Sequence, residues 1–412
     1  KSSLMMLLAE KIKMEIATSV ISLNQLHREK IMSDVYVLGV DMIKFGRFPD
    51  RTVPNLGAEA ALLALDDAGL NVGNMEAFYC GNLGQANAMV GQRILQEIGQ
   101  TGIPVVNCAN ACATGATAFR EAWTSIKAGL YDVVLAVGVE QMGAGLLGGA
   151  GGGVGIPKEG LLGSGTMPAV FAEAGMEHAR QYGTTFEQFA KISVKNHHHS
   201  TMNPKSRYQI ETPLEEVMAS EMIAYPNTKL MCSANVDGSA AAVLVSEKKA
   251  KELGMKRSVK VRASILTSDP YEERNLAMPN INTLTRNAAS QAYEMAGLGP
   301  KDLDLVELHD CFASAEMLHY GNLGLCKDEE AGKLVDEGYF EIDGTLPVNL
   351  SGGLLAKGHP TGATGVANLY EICAQLRGEA GQRQLKKPSI GLAHVIGLGS
   401  ACGIHILEKS SS

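Results

Sequence analysis

The run Val106-Asn107-Cys108-Ala109-Asn110-Ala111-Cys112-Ala113-Thr114-Gly115 sets a thiol between a β-rich segment and a small-residue segment able to start a helix. A cysteine at such a junction faces the positive end of the helix dipole, which lowers its pKa and favours the nucleophilic thiolate. Small neighbours leave room for a bulky substrate at the sulfur. The plain alternative is a buried cysteine that only packs, since a free cysteine behaves as a small hydrophobe. Three further segments carry groups that could serve a nucleophile. Val306-Glu307-Leu308-His309-Asp310-Cys311-Phe312 reads as a strand running into a polar turn. Lys357-Gly358-His359-Pro360-Thr361-Gly362 is a glycine-lined loop presenting one imidazole at a helix start, and His394-Val395-Ile396-Gly397-Leu398-Gly399 is a strand followed by a glycine turn. Each alone suits a structural residue. Together they supply a nucleophile, groups for proton transfer and backbone donors for an oxyanion.

The elements that must position these groups alternate between strand and helix, as in an α/β protein. Residues 35–40 predict a strand, 56–68 a helix, 77–80 a short strand and 132–139 a continuous apolar strand buried on both faces. From 141 to about 231 the alternation breaks into a glycine-rich stretch (143–155), Met-rich pieces and polar helices, which predicts an inserted lid or substrate-shaping region. Strands resume at 240–246, and a second α/β series starts at 259–266. That series repeats the first. Thr114-Gly115-Ala116-Thr117 recurs as Thr361-Gly362-Ala363-Thr364, each expected to open a helix, and Ala68-Gly69-Leu70 recurs as Ala296-Gly297-Leu298. The repeats predict a duplicated unit.

At 412 residues the chain is long for one core, which fits two packed halves. Its net charge of −8 is mild and, with no basic block, argues against nucleic-acid binding. No apolar run is long enough to cross a membrane. The eight cysteines are scattered without a CxxC pair, so they read as reduced thiols in a cytoplasmic compartment. Residues 1–31 read as an N-terminal extension or leader, because Met32-Ser33-Asp34 looks like a natural start; an amphipathic helix docking on a neighbour is the alternative.

Taken in order, Asn-x-Cys-Ala-Thr-Gly, His-Asp-Cys-Phe and Gly-His-Pro make the chain resemble the thiolase superfamily over residues 33–408. Within it, the sterol-carrier-protein-2 type fits. Ordinary thiolases carry Asn-Glu-Ala-Phe where this chain has His309-Asp310-Cys311-Phe312. They also carry a C-terminal acid/base cysteine where this chain has Val395, and Val cannot move a proton. The resemblance implies a five-layered α-β-α-β-α fold of two βαβαβαββ halves. The first half would take 32–140 plus 232–256, the inserted loop domain 141–231, and the second half 257–412.

The resemblance also implies an activity, thiolysis of a 3-oxoacyl-CoA through a cysteine acyl-enzyme, and a role for each residue. Cys112 is the expected nucleophile and His359 its base, with Nε2 also serving the enolate oxygen. His309, or a water it holds, helps there. Cys311 protonates the enolate and then deprotonates CoA. The N–H groups of Cys112 and Gly397 form a second oxyanion hole, and Ser233 contacts the pantetheine arm. Coenzyme A is expected as co-substrate, with no bound cofactor and no metal. A homodimer core is expected, and bacterial relatives of this type often add a small zinc-ribbon/OB-fold subunit, making a heterotetramer. Branched or aromatic acyl-CoAs, benzoylsuccinyl-CoA among them, are the expected substrates. A condensing or retro-aldol enzyme and a non-catalytic lipid carrier are the rival readings. The steroid side-chain retro-aldolases of this type generally lack the nucleophilic cysteine. His197-His198-His199 invites a metal reading, but no carboxylate or cysteine stands at ligand spacing.

Overall fold

The computed structural model describes residues 33–143, 167–254, 257–270, 282–398 and 400–410. The first series runs β1 (Val35–Met42), α1 (Val53–Ala68), β2 (Ala77–Gly81), α2 (Val90–Ile98), β3 (Val105–Cys108), α3 (Thr114–Lys127) and β4 (Val133–Glu140). Next come α4 (Met167–Tyr182), α5 (Phe186–Thr201), α6 (Leu214–Ala219) and a small hairpin of β5 (Met222–Ala224) and β6 (Asn227–Thr228). β7 (Gly238–Ser246) then rejoins the main sheet, and α7 (Glu247–Leu253) leads out of it. The second series is β8 (Val259–Thr267), α8 (Asn282–Ala296), β9 (Leu305–Glu307), α9 (Ala313–Asn322), α10 (Ala331–Asp336), α11 (Thr364–Arg377), β10 (Ile390–Gly397) and β11 (Ala401–Lys409).

Local signals explain the boundaries. Thr52 caps α1 by accepting from the Asn55 N–H, Pro54 sits in its first turn, and Gly69 ends it in the left-handed conformation at φ 65°. Every residue of β4 and of β7 is buried, so these strands show no alternation of apolar and polar residues.

The strands form one nine-stranded sheet in the order β3-β2-β4-β7-β1-β8-β11-β10-β9. β1 and β8 pair antiparallel at Tyr36↔Lys260 and Val37↔Val259, and this seam divides the sheet into mirror-ordered halves. Outward from it the first half runs β1-β7-β4-β2-β3 and the second β8-β11-β10-β9. In the second half a single parallel bridge, Val306↔Val348, stands where the counterpart of β3 would lie. The duplication expected from the sequence is thus visible in strand order.

Helix α1 covers β1 and β7 from one side, α8 covers β8 and β11, and α3 and α11 pack on each other in the middle layer. Thr114 and Thr364 each open a fourteen-residue helix. The repeat therefore aligns Thr114-Gly115 with Thr364-Gly365, three residues later than the Thr-Gly-Ala-Thr match suggests, and Thr361 lies in the turn before the helix. The reason is contact between the two helix starts. A Cβ on Gly365 would stand 2.3 Å from the Ala116 nitrogen, and one on Gly115 would stand 2.6 Å from the Gly362 oxygen. Leu369, Ile372 and Leu376 of α11 are buried beneath this crossing, each worth about 1.5–3 kcal/mol of burial.

The expected extension at 1–31 and nearly all of the glycine-rich stretch 143–155 lie outside the described residues. Gly143 itself is described, and its carbonyl accepts from Arg47. Among the described residues no helix is long and apolar enough to cross a membrane.

Candidate active site

All six residues singled out from the sequence meet where the two helix starts face each other. Cys112 stands two residues before α3, buried at 6% exposure. Its sulfur and one ring nitrogen each of His309 and His359 lie within 4.8 Å of one another. The two imidazoles meet edge to face, with centroids 5.2 Å apart. Cys311, two residues after His309, is buried and close enough to Cys112 for that sulfur to raise its cost of ionisation. Gly397 lies against the Cys112 loop: a Cβ there would stand 2.6 Å from the Asn110 oxygen and 3.2 Å from the Ala113 nitrogen. The Ser233 N–H donates to the Cys311 carbonyl at 2.9 Å.

One segment, Cys232 to Asp237, straps these pieces together. Cys232 bridges to Phe312, Ala234 donates its N–H to Leu354 O and accepts the His359 N–H, and Asp237 pairs with Gly46. The His-Asp-Cys turn and the Gly-His-Pro loop thus share one backbone support.

The tautomer of His359 follows from its neighbours. The Thr364 hydroxyl donates to Pro360 O at 3.0 Å, so it must accept from His359 Nδ1–H at 2.7 Å. Nε2 then carries the lone pair. It has no protein partner and is free to take the Cys112 proton. Sequence reasoning saw Thr364 only as part of a repeat; its place five residues after His359 was the available signal. Thr364→Val is expected to lower kcat about tenfold or more with little change in KM, because the ring loses its orienting partner. Steady-state kinetics checks this, and unchanged kcat would contradict it.

The thiol does not behave as the dipole argument expects. Burial, reinforced by the Glu140 carboxylate, pushes Cys112 up to about 12, although its own N–H favours the thiolate. Desolvation outweighs a helix terminus worth about 1 kcal/mol. Burial likewise holds Cys311 well above its ordinary value. It keeps His359 down at about 3 and His309 well below the usual imidazole range. The resting site is therefore neutral: two thiols and two uncharged imidazoles.

Five fully buried imidazoles share this depression: His309, His319, His359, His394 and His405. Below pH 6.5 the unfolded chain takes up protons at these positions while the folded chain does not. Stability is thus present above pH 6.5 and is lost as pH falls toward 3, by about 1.4 kcal/mol per pH unit per imidazole. A melting series from pH 7.5 to 5 should show a steep fall in Tm. A flat profile would contradict the burial of these rings.

Behind the site lie supports that sequence reading missed. Glu140, at the end of β4, accepts from the N–H groups of Leu83 (2.9 Å) and Gly84 (3.1 Å), Asn82 Nδ2 (3.1 Å) and Thr361 Oγ1 (3.1 Å), tying the first half to the Gly-His-Pro loop. Asp310 accepts from the Leu354 and Leu355 N–H groups and from Asn196 Nδ2, which also donates to Glu316. Lys195 pairs with Glu316 at 2.6 Å with both side chains buried. The His309 N–H donates to His394 Nδ1, whose Nε2–H reaches Thr285 Oγ1, both at 3.4 Å. In the Lys195–His199 run the three histidines serve separate partners. His197 reaches Ser193 O, His198 reaches Glu211 at the surface, and His199 bonds Asn349 O.

Val395 packs with Cys112, Ala113 and Ala401, so the position where ordinary thiolases carry a thiol is apolar here. Cys402 pairs across the β10–β11 hairpin with Ile396, one residue out of phase with Val395, so both point to the opposite face of the sheet. There Cys402 packs in the core and hydrogen-bonds Thr285.

The chain is similar to known proteins in sequence and in fold. Residues 35–221 match the thiolase N-terminal domain, and 272–409 match the thiolase C-terminal domain-like family. The chain is 40% identical over 392 residues to sterol carrier protein 2 of Oryctolagus cuniculus, covering 91% of this chain and 72% of that protein. It is 37% identical to an acetyl-CoA acetyltransferase of Methanothermobacter thermautotrophicus, covering 92% of this chain and all of that one. It is 34% identical to benzoylsuccinyl-CoA thiolase subunit BbsB of Thauera aromatica, covering 90% of this chain and 96% of that one. Among solved structures, the Ltp2-ChsH2(DUF35) aldolase superposes with a TM-score of 0.79 at 22% identity, over 92% of this chain and 98% of that chain, a likeness of fold. With both of its halves matched and the expected motifs gathered at one site, the chain belongs to the thiolase family of acyl-transferring enzymes.

Proposed function

We propose that this enzyme cleaves a 3-oxoacyl-CoA with coenzyme A through an acyl-enzyme on Cys112. The observation that carries the reading is the Cys112–His359–His309 cluster with Cys311, a second thiol, beside it. Cys112 Sγ attacks the 3-carbonyl carbon as its proton passes to His359 Nε2. The tetrahedral oxyanion sits on the N–H groups of Cys112 and Gly397; by the usual scale, losing one such donor costs roughly 3–4 kcal/mol of barrier. The C2–C3 bond then breaks. Its electron pair forms the enolate of the departing thioester, which keeps C1, C2 and the original CoA; His359 and His309 hold its oxygen, and the Cys311 thiol protonates C2. The Cys311 thiolate next takes the proton of incoming CoA–SH. That sulfur attacks the Cys112 thioester, and Cys112 leaves with the proton held by His359. No net charge is left in the site, as its low dielectric requires.

Ser233 is our assigned contact for the pantetheine arm, supported by the hydrogen bond that ties its backbone N–H to the Cys311 carbonyl. A bulky branched or aromatic acyl group is the substrate class we favour, supported by the BbsB likeness over nearly the whole chain. Exposed Val106, on the edge strand β3, supports a homodimer paired across the first-half sheets. A small zinc-ribbon/OB-fold subunit completing a heterotetramer fits two relatives, one named as a subunit and one solved as a complex with a DUF35 protein. The eight free cysteines suit a reducing, cytoplasmic setting. An aldolase reading draws on fold likeness alone, and the presence of both thiols favours thiolysis. A panel of linear, branched and aromatic 3-oxoacyl-CoAs, with and without such a partner, tests the proposal. CoA-dependent loss of the bulky substrates is expected. Cleavage of linear substrates only would overturn the substrate class, and no CoA-dependent cleavage would overturn the activity.

A further inference from the structure

We infer that Cys112, His309 and His359 form a binding site for a soft divalent metal ion of the zinc or cobalt kind, and that such an ion inhibits the enzyme. This departs from the metal-free site expected from the sequence. The binding stands on geometry alone; only the inhibition rests on the thiolase reading.

The three ligand atoms already lie within 4.8 Å of one another. Around a tetrahedral zinc, with Zn–S near 2.3 Å and Zn–N near 2.0–2.1 Å, ligand atoms stand roughly 3.3–3.8 Å apart. Small rotations of the two rings and the thiol close that gap. The rings also have lone pairs to give. His359 Nε2 and both nitrogens of His309 are buried with no protein partner, so a metal bond would displace no existing hydrogen bond. The bond from His359 Nδ1–H to Thr364 Oγ1 orients Nε2 toward the cluster, as outer partners orient zinc-bound imidazoles.

One sulfur and two imidazole nitrogens favour zinc, cobalt or copper over magnesium or calcium. Binding forms one metal–sulfur bond and breaks the Cys112 S–H bond, with the proton leaving to solvent. The set gives three protein ligands and an open fourth position, the pattern of a catalytic rather than a structural zinc site. An ion so placed removes the nucleophile and its base together, which makes it competitive with the acyl-CoA.

Cobalt(II) reads the site without turnover. Reduced, chelator-treated protein titrated with cobalt chloride should take up one equivalent, with a thiolate-to-cobalt charge-transfer band and the visible spectrum of a four-coordinate ion. Zinc should displace it. The charge-transfer band should vanish in Cys112→Ser, the apparent Kd should rise at least about tenfold in His309→Ala, and both should be unchanged in Cys108→Ala and Cys326→Ala. Should the site variants fail to fold, wild-type protein alkylated at Cys112, verified by mass, serves instead and should show no band. A band that survives loss or alkylation of Cys112, or no stoichiometric band in wild type, overturns the site. A normal cobalt spectrum with no zinc inhibition of thiolysis overturns the inhibition alone, and inactive wild type with a normal spectrum tells against the thiolase reading only.

Discussion

Cys112→Ala is expected to lower kcat/KM for thiolysis by on the order of 10⁴-fold or more, because no other group can form the acyl-enzyme. The protein should still fold. The substitution removes one small apolar atom from a cluster with Ala113, Val395 and Ala401, a change worth about 1 kcal/mol or less. The sulfur is neutral at rest, since burial pushes it up to about 12. Iodoacetamide should therefore alkylate the free enzyme slowly at pH 7 and faster as pH rises, because only the thiolate reacts. Fast alkylation at pH 7 would contradict the buried, neutral thiol, and an active Cys112→Ala variant would contradict its role.

Cys311→Ala is expected to cost about 10²–10⁴-fold in kcat, the usual worth of a positioned acid/base group. A more selective readout is exchange. Wild-type enzyme in D2O should wash deuterium into C2 of the released thioester that keeps the original C1 and C2, since the same thiol that protonates the enolate removes that proton in reverse. The exchange should disappear in Cys311→Ala and persist in Cys402→Ala. The contrast has a structural basis: Cys311 stands beside His309, whereas Cys402 faces the opposite side of β10–β11 and bonds Thr285. Exchange that depended on Cys402 would return the proton-handling role to the C-terminal hairpin.

Much of this was legible in the chain, for physical reasons. The strands at 133–140 and 238–246 announce themselves as continuous apolar runs because both faces are covered by helices. The Cys, His-Asp-Cys and Gly-His-Pro motifs were visible because each sits at an element end, and in the last of them Gly358 and Pro360 mark the turn. Three things were hidden. The register of the internal repeat depends on which glycines meet across the middle layer, and Gly115 against Gly362 and Gly365 is a contact between residues far apart in sequence. The upward shift of the Cys112 pKa is a property of burial, which a local helix-dipole argument does not contain. The supports, Glu140 holding Thr361 and Asn196 holding Asp310, are pairs 221 and 114 residues apart, with no spacing rule to join them.

Cys112 is expected to carry the acyl group between the two half-reactions. Wild-type enzyme mixed with a 3-oxoacyl-CoA, without free CoA, and quenched in acid should show by intact-protein mass spectrometry an added acyl group of the size released from C3. Peptide mapping should place it on Cys112, and added CoA should discharge it. No adduct, or an adduct on Cys311 or any other residue, would contradict the account.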